Sequence, residues 1–436
     1  MLVPQGLSHA LFGPGLAASR GLSAGAAFRL ETGRLGGAPF GWALLVAAAV
    51  PLLIGRGWRL SWAIRCWAVI LVSVGFVSLA GRGWLGLPVP TPEVFLAPAA
   101  IGIAWSIALG FIAFRVDLRE FRFGLPQVAA GVATVAFALA SLPIVAAAGD
   151  GNWGLEAETF ARDLSYIERS GNTGDFRVLW VGDPEALPVD SWRIASGLSY
   201  GTSRNGVATL TDLWAPNRPG SSVALGDALK VALNGRTTRL GHLLGPMGVR
   251  YVIVPSRVAP KQAGRVATPP ARDIAGAMGE QVDFRQLDAT ADVSIFENAA
   301  WVPLRAVLTK GQATSVATAG GGFAGASAND IGGAKPALPD RASDYSFSGP
   351  LSSGTSLFFA ETPSPRWRLS VDGKNADRSR AFGFSTTYSV DNTGKASLRY
   401  RTSPLRYLTL LLEIAVWVIV IRGAWNWRRS SRGEVA

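Results

Sequence analysis

Two charged side chains stand inside apolar runs, where ionisation is expensive: Arg65 and Glu413. A charge so placed marks either a coupling or catalytic group or a helix–helix contact that neutralises it. Arg65 lies about one turn inside its run, close enough to the end to snorkel to a headgroup layer. Glu413 sits at the centre of its run, where pairing with Arg65 is one way to offset the charge. Three carboxylates, Glu93, Asp150 and Glu156, flank other apolar runs. A carboxylate at such an address suits a general base that takes the proton of an acceptor hydroxyl at a membrane face. It equally suits a helix cap or a solvated loop. The stretch Ser199–Gly206 groups Tyr200, Ser203, Arg204 and Asn205, polar groups beside an aromatic ring. That composition fits a carbohydrate-contacting loop and also an ordinary turn-rich connection.

Stronger catalytic signatures are absent. Asp288 and Asp292 lie four apart and do not form the Asp-x-Asp that holds a metal–nucleotide-sugar complex. The chain has no P-loop, no Gly-x-Ser-x-Gly and no His-Glu-x-x-His. One cysteine, Cys66, excludes a disulfide framework, and two histidines, His9 and His242, leave little for zinc. No metal site and no cofactor are expected.

The elements that must position these residues are set by long uncharged runs. Val94–Phe114 has no charge over a length that crosses roughly 30 Å of hydrocarbon. Val128–Ala148 is a second such run. Phe40–Ile54 (short, with Pro51), Leu60–Ala80 and Leu405–Ile421 complete a set of about five membrane spans. The N-terminal 39 residues are Gly-rich with scattered arginines and show no signal peptide. Of 42 basic residues 36 are Arg, and many flank the apolar runs, where positive charge sets orientation. No segment interleaves basic and aromatic residues on one face, so nucleic acid is not an expected partner despite the net charge of +12. Arg56, Arg59, Arg115, Arg119, Arg122, Arg422, Arg428, Arg429 and Arg432 fall on one side of the spans; Arg20, Arg29, Arg34 and Arg82 fall in the short segments of the other. Nine against four puts the C-terminus in the cytoplasm and residues 149–404 outside the plasma membrane.

Between the fourth and fifth spans the pattern changes twice. Residues 149–298 alternate helical and strand signals. Phe160, Leu164 and Ile167 share one helical face, as do Leu225, Ala228, Leu229 and Ala232. Phe176–Val181 and Val249–Val254 are apolar strands, with helix Leu240–Leu244 stopped by Gly245-Pro246. Val282–Leu287 and Val293–Glu297 form a hairpin. An α/β layer with a partly parallel sheet follows. Residues 299–404 show period two, with turns at Asp372-Gly373 and Asp391–Gly394, which argues for a β-sandwich. Within it, the Gly/Ala/Ser tract 311–340 is expected to be a mobile loop. The fold class is therefore membrane α-helical plus an exocytoplasmic α/β domain and β-sandwich: an N-terminal loop (1–39), a four-helix membrane block (40–148), the α/β domain, the sandwich, and a fifth helix with a basic tail (405–436).

Several stretches together resemble the C-terminal half of large actinobacterial membrane glycosyltransferases of family 2. They are the span pair around Gly81–Pro92, the strand Phe176–Pro184 (FRVLWVGDP) with Trp192-Arg193 and Gly197–Tyr200, the run Leu244–Val254 (LGPMGVRYVIV), and Trp367–Lys374 (WRLSVDGK). The Gly-Val-Arg-Tyr and Trp…Asp-Gly elements are also similar to YfhO-like multi-span proteins of the GT-C type. The resemblance implies a part in cell-envelope glycan assembly, with a lipid-linked sugar or envelope glycan and a separate glycosyltransferase domain as partners. It supplies no catalytic residue, because the metal-binding acids of the family lie in a cytoplasmic domain that has no counterpart in this sequence; the chain is then a fragment or a split-gene product. The alternatives are a GT-C-type transferase that takes its sugar from a polyprenyl phosphate, with Glu93 or Asp150 as base, and a non-enzymatic glycan-binding or scaffold protein.

Overall fold

The computed structural model describes residues 22–31, 37, 39–82, 84, 92–117, 125–149, 160, 164, 167, 174–184, 186–189, 191–195, 197–209, 212, 220–256, 273–289, 293–319 and 322–433. The chain divides between Val302 and Pro303 into two compact units.

The first unit begins with a helical block. After α1 (Ala24–Phe28), whose first turn is capped by Ser23, come α2 (Phe40–Ile54), α3 (Trp58–Gly81), α4 (Pro92–Asp117) and α5 (Leu125–Gly149). These match the apolar runs of the sequence to within a few residues. α3 packs on α4, and α2 packs on both α4 and α5. The inner surfaces hold small residues: a side chain at Gly102 would press on the Cys66 carbonyl at 3.0 Å and on Ile70 at 3.1 Å. That absent Cβ lets α4 lie close against α3. Two polar ties reinforce the block, since the Ala48 carbonyl of α2 accepts from Ser106 Oγ (2.7 Å) and Trp67 Nε1 (3.0 Å). The outer surfaces are apolar, with Val72, Ile101, Trp105 and Val145 largely exposed.

The same unit contains a six-stranded sheet of order β2-β3-β1-β4-β6-β5, built from β1 (Arg177–Gly182), β2 (Trp192–Ala195), β3 (Leu198–Arg204), β4 (Val249–Pro255), β5 (Phe284–Ala289) and β6 (Val293–Asn298). β1 and β4 run parallel and every other neighbouring pair is antiparallel. β1 is buried at all six positions, as a central strand covered on both faces must be. One face packs Val178, Trp180, Tyr251, Ile253 and Ile295 against Phe160, Leu164 and Ile167, the three residues whose spacing marks a helical stripe. The chain between β3 and β4 forms α6 (Gly220–Leu233) and α7 (Leu240–Leu244), the latter ended by a 3₁₀ turn at Gly245–Met247. α8 (Ile274–Gly279) precedes β5 and is capped by Asp273.

The second unit is a β-sandwich. One sheet has the order β13-β12-β16-β10-β9 and the other β14-β15-β11-β7-β8. The strands are β7 (Arg305–Leu308), β8 (Lys335–Pro336), β9 (Asp340–Ser343), β10 (Ser346–Leu351), β11 (Thr355–Phe359), β12 (Trp367–Val371), β13 (Lys374–Asn375), β14 (Asp377–Ala381), β15 (Ser385–Val390) and β16 (Gly394–Tyr400). Phe347, Leu369, Val371, Ala396 and Leu398 from one sheet meet Leu357, Phe359, Tyr388 and Val390 from the other in a single core. The tract 311–340 is not a loop. It holds α9 (Lys310–Thr318), α10 (Gly322–Ala328), β8 and the first residue of β9. α9 starts from a full capping box, Thr309 Oγ1 accepting from Gln312 N (3.2 Å) while Gln312 Oε1 accepts from Thr309 N (3.1 Å). The unit ends in α11 (Pro404–Gly433). Among the described residues three helices are long and apolar enough to cross a membrane, namely α3, the Phe95–Phe114 part of α4 and the Pro404–Gly423 part of α11; α2 and α5 contain shorter apolar stretches.

Candidate functional site

Among the described residues, an apolar cavity opens within the helical block. α2, α4 and α5 converge on a space of about 270 Å³, with Val50, Ile54, Phe111, Phe114, Ala133 and Phe137 among its walls. The sequence produces it locally by alternating small and large residues at the crossing. Gly110 brings α4 to van der Waals distance of the Pro51 ring (3.4 Å from an added Cβ), and Ala47 and Ala133 leave room that Phe111 and Phe137, edge to face at 5.7 Å, do not fill. Thr134 supplies a single hydroxyl. Among the described residues no titratable group lines this space, and its apolar walls suit a hydrocarbon chain.

The residues singled out from the sequence are placed as follows. Arg65 is exposed on α3 and stacks over Trp62, its guanidinium 5.0 Å from the ring centroid. Glu413 is half-buried midway along α11. Glu93 occupies the second position of α4. Its side chain lies outside the described residues, as do Asp150 and Glu156 altogether. The Ser199–Gly206 stretch is not a loop through most of its length. Ser199 to Arg204 belong to β3, paired residue for residue with β1. Tyr200 is buried and donates to the Ser222 carbonyl (2.7 Å). Ser203 accepts from Trp180 Nε1 (2.8 Å) and donates to the Gly206 carbonyl (2.7 Å). Asn205, at φ 56°, accepts from Phe176 N (2.9 Å) and donates to Asp175 (2.8 Å), closing the turn after β3. Tyr200, Ser203 and Asn205 are thus engaged in the fold, and Arg204 is exposed at the strand's end. Small polar residues with one aromatic look alike in a loop and in a strand that satisfies its hydroxyls internally.

Arg250 heads a polar cluster that composition does not reveal. Its guanidinium lies 4.7 Å from the Trp301 ring centroid, 5.1 Å from Tyr251 and 5.5 Å from Phe176. Glu297 neutralises it at 3.2 Å and is held from its other oxygen by Arg285 at 2.5 Å. A nearly buried ion pair enclosed by aromatic rings fixes β4 against β6. Among the described residues no group of three or more His, Cys, Asp or Glu could hold a metal ion.

No family model matches the chain, and neither a curated protein nor a solved structure matches it.

Proposed function

We propose that this chain is the membrane and acceptor-handling part of a cell-envelope glycosyltransferase system, working with a nucleotide-sugar domain carried elsewhere. On this reading α2–α5 and α11 are five spans in the plasma membrane. The six-stranded sheet and the sandwich face the exterior, and the end of α11 lies in the cytoplasm. The single observation that carries the acceptor role is the cavity between α2, α4 and α5, walled almost wholly by apolar side chains. Within a bilayer such a space takes a hydrocarbon tail, and an envelope acceptor is sugar carried on such a tail. The lipid-exposed character of α11 supports the setting, since its 18-residue apolar window has no buried residue. Leu405, Leu411, Leu412 and Ile419 are each more than 60% exposed, a surface that water does not tolerate over such a length.

The experiment is native mass spectrometry of the full protein extracted in mild detergent. It is expected to retain a polyprenyl-linked lipid. Ala133→Leu fills the cavity from its wall and should lower retention several-fold, whereas Val72→Leu on the outer surface of α3 should not. Equal retention by Ala133→Leu, or retention of bulk phospholipid alone, would count decisively against the reading.

A further inference from the structure

At one edge of the sandwich the chain passes from one sheet to the other. β12 turns into β13 through Asp372 and Gly373, both at positive φ (45° and 81°), and β14 then begins as the edge of the opposite sheet. Between these two edges opens a groove of about 240 Å³ whose walls include Trp367, Leu369, Asn375, Ala376, Arg378 and Tyr388. Its apolar side is rigid. Leu369 and Tyr388 are buried, and Tyr388 Oη donates to the Trp367 carbonyl at 3.2 Å, tying the two sheets across the groove. The Trp367 indole is half-buried and wedged edge to face against Phe359 (4.9 Å) and Tyr400 (5.3 Å). Burial pushes the Tyr388 phenol up to about 12, with the Arg378 charge pulling the other way, so this wall stays neutral at any physiological pH.

The polar side is cationic. Arg378 stands directly opposite Tyr388 on the neighbouring strand, and directly opposed residues share a face of the sheet. It is exposed and makes no hydrogen bond or ion pair among the described residues. Arg368 also borders the groove, but it alternates outward, opposite Arg399 on β16. Asn375 adds an exposed amide, and among the described residues no carboxylate lines the space. A guanidinium without an internal acceptor binds an oxyanion, often through two parallel bonds. An amide binds hydroxyls, and an aromatic wall accepts the apolar face of a ring. The volume lies just below the roughly 300 Å³ at which drug-sized pockets begin, enough for a single sugar ring.

The groove's location bears on where the ligand comes from. Its rim continues through Arg366, whose carbonyl accepts from Arg401 N (2.7 Å) and whose Nη1 donates to Tyr400 Oη (3.3 Å). The apolar helix α11 starts three residues after Arg401. The groove therefore opens near the point where the sandwich passes into the apolar helix α11.

We propose that this groove binds one hexopyranose residue bearing a carboxylate or phosphate, with Arg378 holding the oxyanion, Asn375 a ring hydroxyl and Trp367 the ring face. This rests on the acceptor-handling reading and names the part of the acceptor that would be recognised.

Calorimetry and saturation-transfer NMR on the full-length protein in nanodiscs test it, with glucuronate, glucose 6-phosphate, glucose and inorganic phosphate as probes. Both anionic sugars should bind, and glucose at least about ten-fold more weakly, the usual worth of a charge-assisted contact. Arg378→Gln should erase the difference between glucuronate and glucose, and Asn375→Ala should weaken both. Arg399→Gln, on the outer face of the other sheet, should change nothing. Absence of binding by both anionic sugars, equal binding by Arg378→Gln, or phosphate binding as tightly as glucose 6-phosphate would each overturn the proposal. Lipid retention is read separately. Its loss with sugar binding intact would sink the membrane role and leave the groove, and the converse would sink the groove alone.

Discussion

Asn298 is fully buried at the end of β6, and its side-chain hydrogen bonds all run to backbone groups. Its Nδ2 donates to the Gly241 carbonyl (2.9 Å) and the Val249 carbonyl (3.0 Å), and its Oδ1 accepts from Ala300 N (3.0 Å). One side chain thus joins α7, β4 and the chain leaving the sheet. The approach is tight, since a Cβ on Gly241 would lie 2.3 Å from Asn298 Oδ1. Asn298→Ala should destabilise this unit by about 2–4 kcal/mol, because it removes three buried hydrogen bonds worth roughly 1 kcal/mol each. Thermal unfolding checks it, and a loss under about 0.5 kcal/mol would mean that the network carries no weight. None of this is legible in the sequence, where Asn298 reads as one more polar residue closing a strand. The Tyr200, Ser203 and Asn205 group shows the converse, for side chains that look available are engaged once β3 pairs with β1. Residue type announces hydrogen-bonding capacity, and only the fold decides whether water, a ligand or the backbone uses it.

Element by element, legibility follows how strongly the pattern repeats. The helices α2–α5 are visible because length without charge is a signal that local turns do not disguise, and their observed ends fall within a few residues of the apolar runs. Strands β1 and β4 are visible as short apolar blocks bounded by turn residues. The hairpin at Asp372-Gly373 is visible because both residues favour the positive φ they adopt. The tract after Thr309 is where composition misleads. Gly, Ala and Ser dominate it, yet Thr309 and Gln312 stand at the spacing of a capping box, and Val316 supplies the one apolar anchor that α9 buries. Capping, more than propensity, decides this helix. Thr309→Ala should cost about 1 kcal/mol and raise amide exchange across α9 while leaving the exchange of β11 and β16 unchanged. Protection unaltered in α9 would show that packing of Val316 alone maintains the helix.

For the whole molecule, orientation is the property from which the proposed function most depends, and the arginines near α11 do not decide it alone. Arg399, Arg401 and Arg406 lie near its start, while Arg422, Arg428, Arg429 and Arg432 lie near its end. Such a small difference sets no direction under the positive-inside rule. On the proposed reading the direction comes from the sum over all the spans. Arg56 and Arg59 between α2 and α3, Arg115 at the end of α4, and Arg119 and Arg122 beyond it join the four near the end of α11, nine against Arg20, Arg29, Arg34 and Arg82 in the short segments of the opposite side. If α2–α5 cross in alternation, α5 must deliver the six-stranded sheet to the exterior, and α11 then returns the chain to the cytoplasm. A single thiol makes the test clean, because Cys66 is the only cysteine and is buried. In a Cys66→Ala background, Ser352→Cys, exposed between β10 and β11, should react with an impermeant maleimide on intact cells. Ser430→Cys, beyond the apolar part of α11, should react only after permeabilisation. Labelling of Ser430→Cys from outside would invert the molecule, place the sandwich groove in the cytoplasm, and remove it from any envelope glycan.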